Sequence, residues 1–287
     1  MSDKKTLNLP VSAIGISTPE ALSLYHYLSG GKVMHILLPS TKPIRCKDFD
    51  ICEIYKSNFE NLREINISSI DNLINKWGAD GLILEGCDIK NLINDELLDN
   101  IKKQLNIPIG IRIAEPINLY NIDFIVYDHF LDYYTNIDFI NYINNFNKYN
   151  SWIEVQLYYK EPLLEKFLPL VKVVGKKEIP VHIYLLDNKG GGAVRELYNE
   201  LKKVNPYVYI HVNLYGEYIT YCYNCKKPVA YREEGVLLDL ELKGNHCWNC
   251  GVELPFNKVI SKKTDKMFGR ISNGDIIWYD PRAIQLD

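Results

Sequence analysis

Four cysteines late in the chain have the type and spacing for metal chemistry. They read Cys222-x2-Cys225, then 21 residues, then Cys247-x2-Cys250. Two intervening residues let one tight turn present both sulfurs to a single ion. Two such turns complete a tetrahedral shell of four thiolates, which suits Zn²⁺. Gly251 follows the second pair, where the backbone can turn beneath the sulfurs without a Cβ clash. "PVAYRE" and "GVLLDLEL" between the pairs read as short strands. Together these features predict a zinc ribbon, with disulfide pairing as the alternative. Four thiolates leave no open coordination position, so the ion would hold the fold rather than act on a substrate. His246 could replace one ligand, although four cysteines already suffice.

The elements that would position such a site come from the rest of the 287 residues. The length allows one large domain plus a small one. A net charge of −3 gives no global basic field that would point to nucleic acid. The start "MSDKKTLNLP" is polar, and no apolar run approaches the roughly 18–20 residues of a membrane span. A cytoplasmic protein is expected, where thiols stay reduced and paired cysteines bind metal.

From "KVMHILLP" onward, strand and helix patterns alternate. "GLILEG", "IPIGIRI", "NIDFIVYD", "SWIEVQLYY", "IPVHIYLL" and "YVYIHVNLY" read as strands. "SSIDNLINKWGAD" reads as a helix with a Ser cap, and "NDELLDNIKKQLN", "IDFINYINNFNKY", "PLLEKFLPLV" and "GAVRELYNELKKV" also carry the helical period. Strands separated by helices imply parallel pairing, giving an α/β sheet or barrel of six or seven units. Ligands of such folds lie at the C-terminal strand ends. The divisions expected are a leading segment 1–31 with a short helix in "PEALSLYHYLS", an α/β body 32–215, the ribbon 216–257 and a tail 258–287.

The order of "WIEVQLYY", "IPVHIYLL", a helix, "YVYIHVNLYGEYITYCYNC" and "CWNCG" resembles one family. It is similar to the C-terminal half of radical S-adenosylmethionine enzymes of the pyruvate-formate-lyase-activating-enzyme-like branch. Those with a terminal zinc ribbon are called AmmeMemoRadiSam proteins. "NKWGADGLILEG" and "IAEPINLYNIDFIVYD", with Glu115, Pro116 and Asp128, fit the same plan, so the likeness covers residues 33–257. It implies a partial (β/α)6 barrel. It also places His182 at a family histidine that faces the pocket.

The departures from that pattern bear on function. The family's C-x3-C-x2-C loop holds a [4Fe–4S] cluster and leaves one iron for S-adenosylmethionine. Here the loop reads "PSTKPIRCKDFDICEIY". With Cys46 at the second position, Lys42 and Phe49 stand in the other two places, and Cys52 falls three residues late. The second strand ends "LEGCDI" where the family has an aromatic-Asn-Glu-Pro element. Two altered parts of one cofactor site imply a lost cluster and a protein that acts by binding. Its partner would be a protein or an RNA-containing assembly, or a small molecule at the barrel mouth. The alternatives are a rewired metal site using Cys46, Cys52 and Cys87, which cluster near the ends of the first two strands, or cluster-free binding of S-adenosylmethionine or a nucleotide.

Weaker signals remain. Arg112 and Glu115 could line the same mouth. Gly190 to Gly192 precede a helix and could cradle an anion or merely flex. The tail sets five basic residues from Lys258 to Arg270, among them Lys262, Lys263 and Lys266, against Asp265. That cluster suits a solvated face or an RNA contact.

Overall fold

A computed structural model describes residues 7–39, 62–86, 89–146, 150–186, 191–212, 215, 216, 218–233, 235–272 and 276–284. The first strands are β1 (Asn8–Val11), β2 (Ala13–Ser17), β3 (Val33–Leu37), β4 (Arg63–Asn66) and β5 (Gly81–Glu85). Then come β6 (Ile109–Ile113), β7 (Phe124–Phe130), β8 (Trp152–Tyr159), β9 (Val181–Leu185) and β10 (Val208–Val212). The helices between them are α1 (Ile67–Trp77), α2 (Ile89–Leu92), α3 (Asp95–Lys102), α4 (Asn136–Asn145), α5 (Leu164–Gly175) and α6 (Gly192–Lys202).

Local chemistry accounts for several boundaries. Asn66, rather than the expected serine, caps α1 by accepting the Ser68 N–H at 2.8 Å. Asn94 does the same for α3 through Leu97 N–H. Gly78, in the left-handed region at φ 64°, ends α1.

The large sheet runs β3-β5-β6-β7-β8-β9-β10 as parallel neighbours in chain order. Two further strands pair with its edges: β11 (Tyr215–Gly216) on β10, and β2 on β3, both antiparallel. β17 (Ile277–Tyr279), from the tail, lies outside β2. The leading segment and the tail thus both lend strands to the sheet, which their unremarkable sequence did not suggest.

The order never reverses, and apolar residues from α1 and α3 to α6 share one core with one sheet face. Ile153, Val155 and Leu157 of β8 belong to that face. Glu154, Gln156 and Tyr158, their alternate neighbours, belong to the other.

That second face is covered by residues 18–31. The helix expected in "PEALSLYHYLS" is reduced to a 3-10 turn at Glu20–Leu22. Ser23 and Leu28 adopt φ of 51° and 57°, which no helix continues. The Tyr25 and His26 N–H groups donate to the Glu154 carboxylate, at 2.9 and 2.8 Å, instead of to helical carbonyls. A buried carboxylate that takes two backbone donors outweighs the local helical preference.

After β12 (Ile219–Tyr221), β13 (Pro228–Glu233) and β14 (Val236–Leu240) complete a three-stranded antiparallel sheet. β15 (Leu242–Lys243) and β16 (His246–Cys247) make a hairpin beside it. The tail then carries α7 (Lys266–Ser272). Among the described residues, no helix is long and apolar enough to cross a membrane.

Candidate functional site

The thiol centre comes first. The four sulfurs of Cys222, Cys225, Cys247 and Cys250 all lie within 4.8 Å of one another. Sγ of Cys222 is 3.7 Å from that of Cys250, and Cys225 stands at the same distance from Cys247. A disulfide needs about 2.05 Å. Four sulfurs around one ion at about 2.3 Å stand roughly 3.8 Å apart, so the separations match a tetrahedral site. His246 is exposed on β16 and is not among the clustered ligands.

The two Cys-x2-Cys turns repeat one another. Cys222 N–H donates to Lys227 O and Lys226 N–H to Cys222 O. Cys247 N–H donates to Val252 O and Gly251 N–H to Cys247 O in the same way. Lys226 and Gly251 occupy equivalent left-handed positions, φ 59° and 71°. Gly251 fits there without strain; Lys226 adopts the same backbone despite its Cβ. The Lys227 N–H pulls the Cys225 thiol down to about 6, and the Val252 N–H lowers Cys250. Asn249 also donates to Cys225, and Asn224 to Cys250, so each turn supports a sulfur of the other. Burial pushes the Cys222 thiol up to about 12, and a cation would be needed to hold it as a thiolate.

The second site is the sheet face under residues 18–31. It carries a set of buried polar groups, His35, Glu85, Arg112, Asp128, Glu154, Gln156, His182 and His211, beside an apolar patch that includes Val33, Ile83, Phe124 and Val126. Arg112 Nε donates to Asp128 Oδ2 at 2.6 Å, and its Nη2 to Asp128 Oδ1 and Gln156 Oε1 at 3.2 and 3.3 Å. Tyr158 OH donates to Gln156 Oε1 at 2.6 Å. Gln156 in turn donates to Leu22 O at 2.5 Å. Burial raises Asp128, against the pull of Arg112. Burial also works to raise Glu85, but His35 and Arg112 outweigh it and the group is lowered.

Ser17, His35 and Glu85 stand in the order of a nucleophile relay. Ser17 Oγ lies 2.6 Å from His35 Nε2, and His35 Nδ1 bonds Glu85 Oε1. Ser17 is fully buried, and its Oγ also lies 3.1 Å from Thr18 O, so no substrate reaches it. The trio acts as an internal brace.

His182 lies inside, not at an open mouth. Its Nε2 is 3.3 Å from Glu154 Oε2 and its Nδ1 3.1 Å from His211 Nε2. Burial holds both imidazoles far below their ordinary range, so both are neutral. With Nε2–H donating to Glu154, Nδ1 of His182 accepts from His211. Arg112 reaches Asp128, whereas Glu115 pairs with exposed Lys90. Gly192 opens α6 and Gly191 precedes it with φ 127°; Gly190 lies outside the described residues. Cys46, Cys52, Cys87, Lys42 and Phe49 also lie outside them. Lys258, Lys262, Lys263 and Lys266 are exposed.

Sequence reasoning passed over Glu20, Glu154, Gln156, Tyr25, His26 and Arg232. A signal was available: strands read as buried carry isolated polar residues on one alternating face, as Glu154 and Gln156 do in "WIEVQLYY". Glu20 is one consequence. Burial lifts its carboxyl to about 7, and its Oε2 has no hydrogen-bond partner. A raised folded pKa favours the protonated native state, so stability falls as pH rises from about 4.5 through 7. Glu20→Gln is expected to be more stable than the natural chain at pH 8 by about 3 kcal/mol, or about 6 °C in Tm. That advantage should shrink below pH 7 and vanish near 4.5. Paired melting curves across that range check it, and a pH-independent difference would exclude the mechanism.

No family model matches the chain, and no curated protein matches it.

Proposed function

We propose that this chain is a radical-SAM-like partial (β/α)6 barrel that has lost its cluster and works by binding. Its four cysteines hold a structural zinc in a ribbon, and its compartment is the cytoplasm, where the thiols stay reduced. The observation that carries the binding reading is residues 18–31. They lie across the sheet face that bears the buried polar groups, and bond Glu154, Gln156 and Tyr184. The unreversed strand order with helices packed on one face supports the barrel. The closed thiolate shell supports a structural ion. The partner is a protein or an RNA-containing assembly, and exposed Lys262, Lys263 and Lys266 are the candidate phosphate contacts.

Metal analysis after anaerobic purification, with an absorption spectrum of the same sample, tests this. About one zinc per chain and no visible band are expected. About four irons with a broad visible band would overturn the reading and turn attention to Cys46, Cys52 and Cys87. A single iron in the four-thiolate site would overturn zinc alone.

A further inference from the structure

Residues 18–31 have almost no regular structure of their own, so they are held from both sides. From the sheet come Glu154, Gln156 and Tyr184. From the cysteine-bearing unit comes a longer set. Fully buried Arg232 of β13 donates to Tyr25 O at 2.7 Å and lies 4.1 Å over the Tyr25 ring. Asn257 N–H donates to His26 O at 2.8 Å, and Leu28 N–H to Asn257 O at 3.2 Å. Phe256 stacks on His26 at 4.4 Å.

One hydrogen-bond chain crosses all three parts. Burial lowers His26 to about 3, so it is neutral. Its Nδ1–H donates to Pro255 O at 3.0 Å, which leaves Nε2 to accept from Tyr209 OH at 2.7 Å. Tyr209 OH then accepts from Thr220 Oγ1 at 2.8 Å, and Thr220 Oγ1 accepts from Arg232 at 2.9 Å. Each donor has one acceptor, so the chain sets as a unit.

The cysteine-bearing unit has a small core: Cys222, Val229, Ala230, Leu237, Leu240, Cys247, Leu254 and Phe256. A core of that size does not fold without a staple, and the thiolate site supplies one. We propose that residues 18–31 are a plug on the sheet's inner face, and that the metal-loaded cysteine unit is the latch that holds it. Loss of the ion frees Arg232, Pro255 and Asn257 from their positions. The sheet-side contacts then hold the plug alone and break more often, so the Tyr25 and His26 amides leave Glu154 and the Glu154–His182–His211 face opens to solvent. The inference rests on the four cysteines binding metal, and not on the nature of any partner.

Hydrogen exchange on the full chain tests it, before and after metal removal with a chelator. The Tyr25 and His26 amides are expected to exchange at least about tenfold faster once the ion is gone, together with residues 219–256, and to recover when zinc is restored. Amides of β5 to β7 should stay protected. Faster exchange confined to 219–256 would overturn the latch, and so would loss of protection throughout β5 to β7. Arg232→Met supplies a second test with the ion in place. It should free the Tyr25 and His26 amides while metal content stays unchanged; unaltered protection there would overturn the proposal. Metal content measured alongside separates a failed latch from a failed metal assignment.

Discussion

Cys247→Ser is expected to abolish metal retention and to unfold residues 219–256. Cys247 is buried, and its sulfur stands 3.7 Å from that of Cys225. A serine hydroxyl there stays protonated and offers a hard, neutral oxygen in place of a soft thiolate. Three remaining thiolates cannot close the shell. Where the ion supplies the folding free energy of a small unit, about 10 kcal/mol or more goes with it. The parallel sheet has its own large core, so it should survive the change. Metal content and limited proteolysis of the variant check both halves. A variant that kept its ion, or kept 219–256 resistant to protease, would refute the four-thiolate staple.

Arg112→Met is expected to cost 3–5 kcal/mol, roughly 6–10 °C in Tm, by leaving buried charge uncompensated. Arg112 is bidentate on Asp128 and stands 3.9 Å from Glu85, and both carboxyls are fully or almost fully buried. Glu85 Oε2 has no hydrogen-bond partner, which makes it more dependent on that neighbouring charge. Burial already raises Asp128, so the loss should be smallest at low pH, where the carboxyl takes a proton. Arg112→Met with Asp128→Asn should recover part of the stability, since it removes the uncompensated charge at position 128 while Glu85 remains. Thermal melts of the single and double variants measure the difference. A single variant within about 1 kcal/mol of the natural chain would show that the pair does not organise this face.

Much of the architecture is legible locally. "PVAYRE" forms β13 over the same six residues, because alternation and β-propensity act within the segment. The helices behave likewise, apart from the Asn66 cap taken for a serine. "PEALSLYHYLS" goes the other way: its helical spacing is real, but Glu154, some 130 residues away, binds its N–H groups. β2 and β17 were missed because their pairing is defined by the neighbours they meet across the chain, here Trp278 against Gly15. The resemblance placed His182 facing a pocket, whereas it is fully buried against Glu154 and His211. Cys46, Cys52 and Cys87 lie outside the described residues.

By itself the sequence determined the four-cysteine cluster and the alternating elements, because ligand spacing and periodicity are short-range properties. The tertiary structure decided what covers the polar face of the sheet. That answer depends on Glu154, Arg232 and His26 meeting across the whole chain, and no local pattern encodes a meeting of that kind.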